Sequence, residues 1–364
     1  MKALLSRIFE ISHSNHASIR SMEGLRGFAV LLVFLVHYSS LCGPLVSADT
    51  LTYQISRIIH DIGNAGVDLF FVLSGYLIYG MLISKQRPFI SYLARRVQRI
   101  YPTFVAVFIL YMALSAVFPA ESKLPGNGSD ALLYVLQNLL LLPGMLDITP
   151  IITVAWSLSY EFFFYLVTPL VIALLLLKQW PHQHRLALLL LISAAGFTYH
   201  WSYAGHIRLL MFVSGMMLYE VSYNLNLRPV KHLGGASLLL ALVVIGIIPY
   251  FNVSGWFRIF TLFVLLFVLC WECFTVNGMT QRLFSWAPLR WYGNMSYSYY
   301  LIHGLTLKGL FLLIGGLLVG SQVKPWFYWA TLLPAFLFTL LVSSTLFITV
   351  EKPYSLARRR ISDN

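Results

Sequence analysis

The sequence predicts an all-α, polytopic integral membrane protein with about ten transmembrane helices and both termini cytoplasmic. Composition is the first observation: 59% of the 364 residues are hydrophobic and 10% charged, with a mean hydropathy of +0.76. A water-soluble domain carries about 25% charged residues. The second is the recurrence of apolar stretches of about 20 residues, the length that crosses a hydrocarbon layer roughly 30 Å thick. The third is where the cations fall. In a ten-span layout, 19 of the 25 Lys and Arg lie on one side, five on the other, and Lys308 lies within a span. Cytoplasmic loops hold such an excess. The net charge of +12 is therefore a topology signal, with anionic membrane lipid as its secondary partner and no role for nucleic acid.

The elements follow in chain order. Residues 1–23 form a cytoplasmic or interfacial segment. Its stretch KALLSRIFEISHS has no sustained apolar core and no small-residue cleavage site, so it is not a signal peptide. It is expected to lie amphipathically on the membrane surface. Residues 24–353 are the membrane domain, with spans near 25–45, 64–84, 101–118, 153–177, 186–204, 207–223, 233–250, 256–274, 294–318 and 327–350. The span at 207–223 is short and begins beside Arg208. Residues 131–146, ALLYVLQNLLLLPGML, are apolar but broken by a Pro-Gly pair, and are expected to form a re-entrant or interfacial helix. A short basic tail, 354–364, returns to the cytoplasm. No internal repeat or low-complexity tract divides the chain, which reads as one membrane domain.

Three cysteines, Cys42, Cys270 and Cys273, are an odd number. The CWEC pair lacks the βαβ context of a redox motif, so all three are expected to be buried apolar thiols. His182 and His184 form an HxH beside Lys178 and Arg185; with no carboxylate near, this is a solvated loop, and no metal site is expected.

Polar residues inside the spans are few, and each is a candidate for function. Arg26 and His37 frame the first long apolar run. Eleven residues at 100° each place both on one helix face, roughly 16 Å apart along the axis. Arg26 then sits at the cytoplasmic surface and His37 well inside the bilayer. Glu161, in VAWSLSYEFFFYL, and His37 are each about eight residues from the non-cytoplasmic end of their helices, roughly 12 Å deep. Asp68 lies one turn into the second span from that side, and His303 reaches middle depth from the cytoplasm. An imidazole and a carboxylate at one level are the ingredients of a base and its orienting partner. Structural hydrogen bonding between helices is the plainer alternative. In ISYLARRVQRIYP, Arg95, Arg96 and Arg99 precede Pro102. Arg96 and Arg99 share a helix face. They serve as a positive-inside anchor, or, with Arg26, as a mouth shaped for a polyanion.

These residues carry a family resemblance. SMEGLRGFAVLLVFLVHY, with ten residues between Arg26 and His37, resembles the opening motif of the membrane acyltransferase-3 family. GVDLFFVLSGYLI, RRVQRIYP, AWSLSYEFFFYL, SYSYYLIH and EKP resemble further motifs of that family in its usual order, from about residue 18 to Pro353. Gly304 stands where a proline is common after the histidine, and Tyr160 occupies a variable position. The resemblance implies an integral-membrane O-acyltransferase of the bacterial inner membrane. It implies acetyl-CoA, or another acyl-CoA, as donor substrate, no permanently bound cofactor, and a hydroxyl of a lipid-linked or cell-surface glycan as acceptor. On this reading Arg26, Arg96 and Arg99 receive the CoA phosphates. His37 and Glu161 are catalytic, and Asp68, Ser74, Tyr76 and His303 are supporting. Direct transfer and a transient acyl-imidazole on His37 are both open. The likeness is to the stand-alone form without an appended hydrolase-like domain, which leaves transfer to the membrane domain alone.

A second class of function also accommodates an intramembrane His and Glu: a proton-coupled transporter of sugars or lipid-linked glycans. Such carriers commonly show repeated halves with broken helices in matching positions, a symmetry absent from this sequence. Trp201, Tyr203 and Trp256 near the outer surface are candidates for stacking on a sugar, though membrane-belt anchoring accounts for them as well.

Overall fold

Backbone polar groups in hydrocarbon must pair within their own segment, which leaves long apolar sequences the helix as their solution. The computed structural model describes residues 2–11, 17–85, 88–202, 206–247, 255–317 and 323–356. Regular structure among them is entirely helical, apart from two isolated bridges, Val46 to Val323 and Pro143 to Leu146. In chain order the helices are α1 (Lys2–Phe9), α2 (Ala17–Cys42), α3 (Leu51–Gly63), α4 (Ala65–Ser84), α5 (Phe89–Val117), α6 (Gly128–Leu139), α7 (Ala155–Leu174), α8 (His182–Ser202), α9 (Leu210–Tyr219), α10 (Leu233–Ile247), α11 (Gly255–Thr275), α12 (Met279–Phe284), α13 (Ala287–Asn294), α14 (Ser296–Leu317) and α15 (Trp326–Leu346). Wider π-helical turns, Glu220–Asn224 and Phe347–Ser355, extend α9 and α15.

Every expected span coincides with a helix, but six stretches among the described residues are long and apolar enough to cross a membrane. They are Arg20–Leu45, Leu51–Ser84, Phe89–Val117, Ala155–Leu174, Gly255–Thr275 and Trp326–Ser355. The other four expected spans fall on α8, α9, α10 and α14. Of these, α9 has only 10 residues and α10 only 15. Polar groups interrupt the other two, His182 to Arg185 opening α8 and His303 and Lys308 within α14. The segment 131–146 is not one helix. α6 stops at Leu139 after 12 residues, about 18 Å, too short to cross. Leu141 and Gly144 then take positive φ angles of 56° and 91°, and the chain turns back so that Ile151 N–H reaches Asn138 at 2.8 Å.

α2 is the central strut, packed against α3, α4, α11, α12, α13 and α14. Small residues let the helices approach closely. A Cβ added at Gly75 on α4 would meet the Phe212 carbonyl at 2.1 Å, and one at Gly215 on α9 would meet that of Val72 at 2.0 Å. All three cysteines are buried. α1 is anchored to the protein itself: Phe9 stacks on Phe347 at 5.7 Å, Trp291 Nε1 donates to Glu10, and Lys352 donates to the Ile8 carbonyl at 2.6 Å.

The ion pairs among the described residues sort by side. Arg99–Glu351, Arg185–Glu220, Arg290–Glu10 and Arg290–Glu23 join groups on the surface that the charge pattern assigns to the cytoplasm. Arg208–Asp68, His60–Asp61 and Lys308–Glu121 join groups toward the opposite side, Lys308 from within α14.

Candidate active site

A cavity of about 140 Å³ opens among α2, α4, α5, α7 and α14, lined by Arg26, Ser74, Arg96, Arg99, Glu161, Tyr165, Ser157, Tyr297 and Tyr300 with apolar neighbours. The i, i+3 spacing on α5 turns Arg96 and Arg99 inward together, while Arg95 faces out and is exposed. Arg99 is held by Glu351 at 2.6 Å, on the wide turn that extends α15. The second Glu351 oxygen accepts the Ser298 N–H at 2.9 Å and hydroxyl at 2.6 Å. Among the described residues Arg26 donates to the Ser296 hydroxyl, at 3.1 Å. The Arg96 guanidinium lies over the rings of Tyr92 and Tyr165, at 5.7 and 5.6 Å. Neither Arg26 nor Arg96 forms an ion pair among the described residues. Two half-buried guanidiniums without carboxylates are open to an anion.

Glu161 faces this cavity. It accepts the Ser74 hydroxyl at 2.8 Å and the hydroxyl of Tyr165, one helical turn along α7. Deeper in, the Ser157 and Tyr300 hydroxyls meet at 2.5 Å. Beyond Tyr300 stands His303, whose Nδ1 is 2.9 Å from the carbonyl oxygens of both Tyr299 and Tyr300. The His37 ring meets His303 edge-on, with centroids 5.0 Å apart. A ladder thus runs from the arginines past Glu161, Ser157 and Tyr300 to a pair of imidazoles.

The structure brings Arg26, Arg96, Arg99, Ser74 and Glu161 together, and it sets His303 beside His37. It does not join His37 to Glu161: among the described residues no hydrogen bond or ion pair links them, and their neighbours differ. Helical rise predicts equal depth but carries no information on azimuth, and α7 turns Glu161 toward Ser74 on α4. Asp68 is fully buried near the opposite surface, 3.5 Å from Arg208 Nε, and Arg208 lies over the Trp156 ring. Tyr76 packs on Tyr219 and Phe274, outside the cavity. Trp201 and Trp256 meet edge to face at 5.2 Å; Tyr203 lies outside the described residues.

Sequence reasoning missed Glu351, Ser298, Tyr165, Ser157 and Tyr300 as parts of the site. Tyr165 was within reach, four residues after Glu161 on one helix face. Glu351 was visible as a motif residue, but nothing in the sequence pairs it with Arg99, 252 positions away.

The profile of a protein family described as "Acyltransferase domain", the acyltransferase-3 family, matches residues 19–348. Curated relatives include the peptidoglycan O-acetyltransferase OatA of Listeria monocytogenes, 26% identical over 328 residues, which are 78% of this chain and 49% of the relative. The putative peptidoglycan O-acetyltransferase YrhL of Bacillus subtilis is 25% identical over 330 residues, 79% of this chain and 48% of its own length. The acyltransferase MdmB of Streptomyces mycarofaciens is 34% identical over 156 residues, 41% of this chain and 38% of that protein. The chain spans about half the length of the first two. No solved structure matches it.

Proposed function

From the premise that this chain belongs to the membrane acyltransferase-3 family, we propose that it is an O-acetyltransferase of a bacterial inner membrane. It moves an acetyl group from cytoplasmic acetyl-CoA to a hydroxyl of a cell-surface glycan. The acceptor named for two relatives, peptidoglycan, makes a cell-wall polymer the first one to test. The observation that supports this reading best is the ladder itself: an arginine-lined cavity whose wall residue Tyr300 also contacts His303, which adjoins His37. Its volume of about 140 Å³ is small beside the roughly 300–1,000 Å³ of sites that enclose whole ligands. It suits the thioester arm of the donor, with the nucleotide end outside among Arg26, Arg96 and Arg99.

In the reaction the acceptor O–H and the thioester C–S bonds break, and an ester C–O bond and a thiol S–H bond form. A sugar hydroxyl is a poor nucleophile near neutral pH and needs a positioned base. His37 supplies it, by deprotonating the hydroxyl or by carrying the acetyl group. Glu161, with Ser74 and Tyr165, shapes the donor cavity, and Asp68 with Arg208 braces the opposite end.

The test is the mass of cell-surface glycans from cells with and without the gene. Acetyl increments that vanish on deletion and return with the wild-type gene support the proposal. Unchanged glycan acetylation, with labelled sugar crossing the membrane only when the protein is present, would move the assignment to a transporter.

A further inference from the structure

His303 is fully buried, and its hydrogen bonds fix its tautomer. Carbonyl oxygens only accept, so Nδ1, in contact with two of them, carries the proton. Nε2 is then a bare lone pair, and it has no hydrogen-bond partner among the described residues. Buried polar atoms are nearly always paired, and an exception calls for a reason. The ring is stacked on Tyr299 at 5.4 Å and 13°, and Tyr299 is itself fixed by a 2.6 Å hydrogen bond between its hydroxyl and that of Thr339. The His37 ring lies beside that of His303, with centroids 5.0 Å apart and planes at 61°, close enough for a small rotation to bring a His37 nitrogen to Nε2. Tyr300 connects the pair to the donor: its side chain lines the cavity and its carbonyl holds His303. His37 is only partly buried, so the two imidazoles are unequal, one inner and one outer.

We infer that His303 is the second member of a proton relay with His37, an inference that rests on the acetyl-transfer reading. His37 takes the proton of the acceptor hydroxyl as its oxygen attacks the acetyl carbon. That proton passes to His303 Nε2, making an imidazolium whose Nδ1–H stays on the two carbonyls. Nε2–H then protonates the thiolate released as the C–S bond breaks. Every bond and charge balances with no further reactant. The arrangement answers a geometric problem: hydroxyl and thioester arrive from opposite membrane faces, so the proton is released and consumed on different sides of the acetyl group. One imidazole would have to swing between them. Two neighbouring rings with centroids 5.0 Å apart reduce that swing to a small rotation.

The test uses the purified full chain in lipid nanodiscs and His303→Asn, whose amide can replace the Nδ1–H donor but has nothing at the Nε2 position. The relay predicts kcat lower by about 100-fold, with KM and equilibrium affinity for acetyl-CoA within about twofold of wild type. It also predicts a bowed proton inventory for wild-type single turnovers in H2O–D2O mixtures, the signature of more than one proton in flight. Retention of kcat within about threefold by His303→Asn, or a linear wild-type inventory, overturns it. If the variant loses donor binding through misfolding, the wild-type inventory decides alone. If the wild-type protein transfers no acetyl group at all, the underlying reading fails and the relay with it; transfer that survives without the relay signatures rejects only the relay.

Discussion

At the scale of single residues, Glu161 separates what sequence order can and cannot show. Helical rise predicts its depth in the membrane. Its partners were not legible in the sequence, because they depend on how α4, α5 and α7 are rotated about their axes. The carboxylate accepts hydroxyls from Ser74 and Tyr165 and shares no hydrogen bond with His37 among the described residues. Residues with no common partner contribute independently, whereas members of one catalytic unit do not. The expected result for Glu161→Gln is therefore a several-fold change in KM for acetyl-CoA, and His37→Ala should lower kcat by about 100-fold or more. The kcat/KM of the double variant should be lower than wild type by close to the product of the two effects. A double variant no worse than His37→Ala alone would make the two residues one unit and restore the pairing that equal depth suggests. Arg26 and His37 were the most legible residues, because one continuous helix carries both and the spacing alone fixes their common face.

At the scale of elements, positions of helices were readable because hydrocarbon permits little else. Their lengths were less so: α9 and α15 run on into π-helical turns that no apolar pattern announces. One of those turns carries Glu351 to Arg99, so the end of the chain's last described helix sets the geometry of α5. Two roles compete for the basic end of α5, topological anchor and donor mouth. Exchanging both Arg96 and Arg99 for Lys distinguishes them, since Lys keeps the positive charge but loses the planar fork suited to phosphate. Acetyl-CoA affinity, measured by calorimetry on the purified double variant, should fall by about tenfold, or 1.4 kcal/mol, with insertion unchanged. Undiminished affinity would leave the pair as an anchor only.

At the scale of the whole molecule, composition gave the class, and the distribution of 25 cations predicts which surface is cytoplasmic. The ion pairs then fell on one surface or the other without mixing. What no composition reveals is that an arginine-lined cavity and a histidine pair are neighbours in the bundle, joined through Tyr300. That adjacency is the central claim, because it joins a cytoplasmic donor to an acceptor on the far side. Its most direct test is acetyl transfer in proteoliposomes of defined orientation, with carbonyl-labelled acetyl-CoA on the face bearing Arg26 and a peptidoglycan fragment on the other. Covalent label on the fragment is expected with wild-type protein and should be absent with His37→Ala of unchanged donor affinity. Label on the fragment at the wild-type rate with His37→Ala, or transfer only when both substrates share one face, would contradict the account.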